Sequence, residues 1–136
     1  MINTVKIGET VEFGSGMLGL IAGPCVIEGR DQCLRIAVEV ASITRELGLP
    51  FVFKASFDKA NRTSIDSYRG PGLEAGLEIL AEVRDTVRIP VTTDIHSVEQ
   101  VEAVANTVDM IQIPAFLSRQ TDLLLAAAES GRPVNV

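Results

Sequence analysis

PVTTDIHSVEQVEAVANTVDMIQI, residues 90–113, holds one complete strand–helix–strand unit. Pro90-Val91-Thr92-Thr93 is a short strand-like run. Ser97 with Gln100 three residues on reads as a capping box, and Val98, Val101, Val104 and Ala105 continue as a short helix. Met110-Ile111-Gln112-Ile113 is strand-like again before Pro114 breaks it. Short strands of this kind, joined through a helix, are expected to pair in parallel with a right-handed crossover and to be covered on both faces. The unit makes the chain an α/β protein.

The same order recurs on both sides of that stretch. Upstream, Phe51-Val52-Phe53 is a strand, followed by a long polar connection and a helix from about Leu73 to Val87 carrying Leu77, Leu80 and Val83, entered through Pro71. Before it, Leu18 to Ala22 is an apolar run closed by Gly23-Pro24. A helix from about Asp31 to Leu47 follows, with Leu34, Val38, Ala41 and Ile43 on a 3–4 spacing, and Gly48-Leu49-Pro50 stops it. Downstream, about Arg119 to Glu129 is a fourth helix ended by Gly131, and Pro133 to Val136 begins a fifth strand. At the start, Val5-Lys6-Ile7 and Val11-Glu12-Phe13 alternate on either side of Gly8-Glu9-Thr10 as a hairpin does. The expected organisation is an appended hairpin over residues 1–16 and an α/β unit over 17–136. Two parallel architectures compete, an open doubly wound sheet and a (β/α)8 barrel, and length alone favours the open sheet.

The chain has 136 residues, 46% hydrophobic and 22% charged, which describes one soluble globular domain. No apolar run approaches the roughly 18 residues of a membrane span, and the N-terminus has no basic-then-apolar leader, so a cytoplasmic protein is expected. A net charge of −6 argues against nucleic acid or an anionic membrane as a partner. The stretch from Lys54 to Gly72 runs against that balance, with Lys54, Lys59, Arg62 and Arg69 facing only Asp58 and Asp66. A basic island in an acidic chain points to a small anionic ligand. Cys25 and Cys33 are too few for a disulfide framework and are read as reduced thiols.

In either architecture the ligand site lies at the carboxyl ends of the strands. Those ends hold Gly23-Pro24-Cys25, then the run from Lys54 to Ser64, then Asp94-Ile95-His96, then Gln112 with Pro114-Ala115-Phe116. The second connection is the most informative, because a long segment without helical periodicity inside a compact unit is generally functional. Lys54, Lys59, Arg62, Ser56, Asn61, Thr63 and Ser64 supply the donors that suit phosphate and sugar hydroxyls. The bland alternative is a solvated basic loop. Asp94 reads either as a partner for a substrate hydroxyl or acid/base group, or as a loop-stabilising carboxylate. His96, the single histidine, reads more readily as a packed residue than as a ligand. Cys25 is a nucleophile or metal ligand if it faces the mouth, and otherwise a small buried thiol. Arg119, at the start of a helix, opposes the helix dipole and is therefore aimed at an anion, which could belong to a neighbouring subunit's site, or is paired with Asp122.

The run FVFKASFDKANRTSIDSYRGPGLE, with AGPCVIEGRD before it and TTDIHS and DMIQIPAFLSRQTD after it, closely resembles the 3-deoxy-D-manno-octulosonate 8-phosphate synthases. KANR and PAFLSRQTD separate that family from the related 3-deoxy-D-arabino-heptulosonate 7-phosphate synthases, whose matching loop normally reads KPRTS. The resemblance implies condensation of phosphoenolpyruvate with arabinose 5-phosphate and water, releasing phosphate, on the route to the lipopolysaccharide inner-core sugar. It implies that Lys54, Ser56, Lys59, Gln112 and Ala115 serve phosphoenolpyruvate, and that Asn61, Arg62, Thr63, Asp94 and Arg119 serve the pentose phosphate, Arg119 from across a subunit boundary. Lys59, Asp94 and Asn61 are the implied catalytic residues. Cys25 resembles the metal-dependent class, with a divalent metal such as zinc, iron or manganese. A homo-oligomer, a tetramer in the family, is implied too. The family is a complete (β/α)8 barrel, and here about four βα units and a fifth strand are expected, the first half of one. The later phosphate-binding lysine and arginine and the remaining metal ligands are not among the 136 residues, so weak metal binding and poor turnover are expected of the chain alone. The alternatives are a non-catalytic half-barrel retaining part of the sugar-phosphate site, and a heptulosonate synthase relative.

Overall fold

A computed structural model describes residues 3–136; the first two residues of the hairpin segment expected over 1–16 lie outside the described residues. The chain begins with an antiparallel hairpin, β1 (Val5–Ile7) and β2 (Val11–Phe13). Five strands follow, β3 (Leu20–Ala22), β4 (Phe51–Lys54), β5 (Val91–Asp94), β6 (Met110–Gln112) and β7 (Val134–Asn135). Between them lie α1 (Arg30–Glu46), α2 (Leu73–Val87), α3 (Val101–Thr107) and α4 (Thr121–Glu129).

All neighbouring strands in the large sheet are parallel, and their spatial order is the chain order, β3-β4-β5-β6-β7. This order settles the architecture. A doubly wound sheet reverses its strand order once and carries helices on both faces; with no reversal, right-handed crossovers put every helix on the same side. Phe53, Val91 and Ile111 accordingly join α1 to α4 in one apolar core, while Val52 and Met110, on the opposite face, pack with Ile7 and Val11 of the hairpin. The sheet is a curled half-barrel, the barrel alternative and not the open sheet that length alone favours.

Side-chain alternation then layers the concave face. Val52 and Met110 lie toward the hairpin, and one step further along the strands Lys54, Asp94 and Gln112 face the cavity at the carboxyl ends. The hairpin thus closes the bottom of the half-barrel and leaves its mouth open.

On the convex side, arginines tie successive helices together. Arg45 of α1 donates to the Val87 carbonyl at the end of α2 (2.8 Å), Arg84 of α2 donates to the Thr107 carbonyl at the end of α3, and Arg132 donates to the Ala105 carbonyl (2.7 Å). Helix carboxyl ends carry unpaired carbonyls and partial negative charge, which a guanidinium satisfies on both counts.

Four local expectations are corrected. The face of α1 that meets the core carries Cys33, Ala37, Ala41 and Thr44, with Leu34 packed against it as expected; Val38 and Ile43 face outward. Small side chains let this helix lie close to its neighbours. The first strand begins at Leu20, not Leu18, which is exposed. The capping box does not form: Ser97 makes no side-chain cap bond, and the Gln100 Oε1 instead accepts from the His96 N–H at 2.8 Å, one residue upstream. The fourth helix begins at Thr121, so Arg119 lies in the turn before it and does not oppose that helix from within.

Candidate active site

A cavity of about 750 Å³ opens at the carboxyl ends of β3 to β6, within the size range of small-molecule sites. Its walls carry Cys25, Lys54, Ser56, Lys59, Asn61, Arg62, Asp94, Gln112 and Ala115, all singled out in the sequence. Thr63 and Arg119 do not line it. Nor does Arg119 pair with Asp122: among the described residues it forms no ion pair.

The floor is one tightly bonded group. Lys54 Nζ donates to Ser56 Oγ (2.8 Å) and to Asp94 Oδ1 (2.9 Å), and Ser56 Oγ donates to the same Asp94 oxygen (2.5 Å). His96 Nε2 stands 3.1 Å from Asp94 Oδ2. Parallel strand register makes this possible, because Lys54 lies opposite Thr92 and the two strand ends rise together into the mouth. Burial by itself would push the Asp94 carboxyl up. The His96 hydrogen bond, the Lys54 charge and the Ser56 and Lys54 hydrogen bonds together outweigh it and hold the carboxyl well below the usual carboxylate range. Asp94 is therefore an ionised acceptor. An ammonium has three donors, so with two engaged Lys54 keeps one for a ligand.

The long connection runs from Ala55 to Gly72 without a helix. Arg69 is bonded to Asp58 through both carboxylate oxygens (2.8 and 2.6 Å), and Arg62 donates to the Ala60 and Ile65 carbonyls (3.1 and 3.4 Å). The basic island is thus divided. Arg69 is neutralised by Asp58 and Lys54 by Asp94, while Lys59 and Arg62 reach the cavity with no carboxylate partner among the described residues. Of the twelve cationic side chains only Lys54, Lys59 and Arg62 line the mouth.

His96, which the sequence reads more readily as packed than as a ligand, is packed and at the site together. Its ring meets Phe57 edge-on at 5.9 Å, its Nδ1 is buried without a partner, and it lines the cavity beside Asp94. The available signal was strand periodicity, since residues two apart share a face. Phe116 and Leu117 also border the mouth. Phe116 is exposed and Leu117 half-buried, both in a 3-10 turn whose direction no local pattern specifies.

The two thiols differ. Cys33 is buried, and burial pushes its pKa up to about 11. Cys25 is exposed at the cavity wall, which corrects the buried-thiol reading. As to a metal, no three His, Cys, Asp or Glu side chains among the described residues are grouped so as to hold an ion. Cys25 alone does not make a metal site. No helix among the described residues is long and apolar enough to cross a membrane.

Fold and site together define a parallel βα-barrel-type protein with a cationic ligand cavity at its strand ends. The sequence pattern of the DAHP synthetase I family matches residues 3–136, and the chain belongs to that family. It is 57% identical over its whole length to a protein of Desulfatibacillum aliphaticivorans, 54% to one of Syntrophotalea carbinolica, and 58% over 96% of its length to one of a Synechococcus species. Each of these is named 2-dehydro-3-deoxyphosphooctonate aldolase, and the chain covers 50%, 49% and 46% of them respectively. The chain spans about half the length of the curated relatives it matches.

Proposed function

We propose that this chain carries the substrate-binding face of an enzyme that condenses phosphoenolpyruvate with D-arabinose 5-phosphate and water, giving 3-deoxy-D-manno-octulosonate 8-phosphate and inorganic phosphate. The observation that carries the reading is the convergence of Lys59 and Arg62, free of carboxylate partners among the described residues, on the Lys54–Asp94 couple in one cavity. The names of the relatives support the same reaction. So does the KANR run, which sets the chain apart from the heptulosonate branch of its family.

In this reading Lys54, Ser56, Lys59, Gln112 and Ala115 receive phosphoenolpyruvate, and Asn61, Arg62 and Asp94 receive the pentose phosphate, while Thr63 stands outside the cavity wall. C3 of the enol attacks the aldehyde carbon, water adds at C2, and phosphate leaves with cleavage of its bond to C2. The ammonium groups offset charge developing on the aldehyde oxygen and on the departing phosphate. Ionised Asp94 accepts a hydrogen bond from a sugar hydroxyl or hydrated carbonyl. Arg119, outside its own cavity, is offered to a neighbouring copy in a cytoplasmic homo-oligomer. Any divalent metal would take Cys25 as one ligand and its other donors from beyond the described residues.

Calorimetric titration and phosphate release test the proposal. Saturable binding of phosphoenolpyruvate and arabinose 5-phosphate is expected, with erythrose 4-phosphate weaker. Tighter erythrose 4-phosphate binding would move the chain to the heptulosonate branch. Binding without phosphate release at high protein concentration would favour a half-barrel that is not catalytic by itself, and binding of neither substrate would overturn the reading.

A further inference from the structure

Asp58 and Arg69 have no place in the cavity wall, yet they occupy the neck of the loop that supplies its free cations. Three contacts close that neck. The guanidinium of Arg69 grips both oxygens of Asp58, the Lys59 N–H donates to the Arg69 carbonyl (2.5 Å), and the Gly72 N–H donates to the Phe57 carbonyl (3.1 Å). Gly70 has φ +123°, and a Cβ there would stand 2.2 Å from the Phe57 carbonyl oxygen, so the two arms touch backbone to backbone. Beyond the neck the loop is held lightly, by the two Arg62 bonds to carbonyls, by Ser67 N–H on the Ser64 carbonyl (3.2 Å), by Asp66 N–H on Ser64 Oγ (3.3 Å) and by Tyr68 Oη on the Ile27 carbonyl (3.3 Å).

We infer that the Asp58–Arg69 pair is a positioning device: it clamps the neck so that Lys59, Asn61 and Arg62 stand over the cavity. The inference rests on the anion-binding reading of the site and adds two residues which that reading does not use. The chemistry favours a local role. An ion pair near the surface contributes little to global stability, but a bidentate guanidinium–carboxylate pair fixes geometry. Lys59 follows Asp58 directly, and its own N–H is bonded to the residue that Asp58 grips. Losing the pair leaves only the backbone contacts to hold the arms at the point from which the ammonium projects. The pair also removes one cation and one anion from the local field, so the charge presented to a ligand comes from Lys59 and Arg62 and not from the neck.

Cys25 provides a reporter independent of turnover. It is exposed on the wall of the same cavity, whereas Cys33 is buried. The ratio of its reaction rates with the dianionic disulfide 5,5′-dithiobis(2-nitrobenzoate) and the neutral 4,4′-dithiodipyridine measures the positive potential at the cavity. The part of the ratio that reports charge is the part removed by about 1 M salt, which screens the potential and leaves access as it was. The ratio is to be measured on the full chain and on Arg69→Gln, Asp58→Asn and the double variant, with Lys59→Met as a control that lowers it. If the pair is a clamp, all three neck variants lower the ratio, by about twofold or more for a unit charge moved away from the thiol. If the neck charges act only through space, Arg69→Gln lowers the ratio, Asp58→Asn raises it and the double variant leaves it unchanged. That pattern, or no change in any variant, overturns the inference. Protection of Cys25 by inorganic phosphate in the unsubstituted chain tests the anion-binding reading separately, and its absence would count against that reading while the ratios still decide the clamp.

Discussion

At Asp94 three neighbours set the charge state of one buried side chain. Its carboxyl is depressed on folding by His96, Lys54 and Ser56 against the opposing effect of burial. A depressed carboxylate stabilises the fold fully above its unfolded value of about 4, and that contribution is lost as pH falls from there toward the folded value. Chemical denaturation from pH 7 to pH 3 should therefore show a steep acid loss in the natural chain and a shallower one in Asp94→Asn, which also starts lower at pH 7. Lys54→Met removes the cation and leaves a buried carboxylate. The expected cost is about 3 kcal/mol at pH 7, read as a lower urea midpoint with an unchanged slope. At the two cysteines, one thiol should react with a thiol reagent in the native chain and two after denaturation, because the burial that raises the Cys33 pKa to about 11 also hides it.

At the scale of elements, glycines decide how closely the site's supports approach. A Cβ on Gly23 would stand 1.9 Å from the Lys54 carbonyl oxygen, a backbone atom that cannot swing aside. Gly23→Ala should separate the ends of β3 and β4, cost about 1–3 kcal/mol, and shift the backbone amide resonances around Lys54. Gly76, inside α2, sets two effects against each other. Alanine favours a helix over glycine by about 1 kcal/mol, but its Cβ would stand 2.3 Å from Phe57 Cβ at the base of the long loop. Overpacking of a rigid contact costs about 1–3 kcal/mol, so Gly76→Ala should lower the thermal midpoint despite its better helix propensity. The arginines of the convex side belong to this scale too. Arg45, Arg84 and Arg132 are used on helix ends, which is why a basic residue count overstates the cation available to a ligand.

Over the whole molecule, the hairpin and the mouth lie at opposite ends of the concave face. Ile7 and Val11 cover Val52 and Met110 below the layer that holds Lys54 and Asp94. Ile7→Ala should cost about 2–5 kcal/mol in unfolding free energy while leaving the anion affinity of the cavity near its natural value, since the hairpin makes no part of the wall. A parallel fall in stability and affinity would show that the plug also shapes the mouth.

The alternation of short strands with helices was legible in the residues, because periodicity and the Gly and Pro stops are local properties. The strand ends were legible for the same reason, and with them Lys54, Lys59, Asn61, Arg62, Asp94 and Gln112 as residues facing a common mouth. Local patterns could not show the order of the strands in space. Periodicity and length did not separate a half-barrel from an open sheet; the family resemblance implied the half-barrel, and the folded sheet, with chain order kept and every helix on one side, shows it. Nor could they show which charges cancel. Lys54 meets Asp94 forty residues on and Arg69 meets Asp58 across the loop neck. The sequence by itself determined that Lys54, Lys59, Asn61, Arg62, Asp94 and Gln112 reach the mouth, while it misplaced Thr63; the tertiary structure decided which of them remain free there. Coulomb pairing depends on distances of a few ångströms, and the chain establishes those only when its strands are brought side by side.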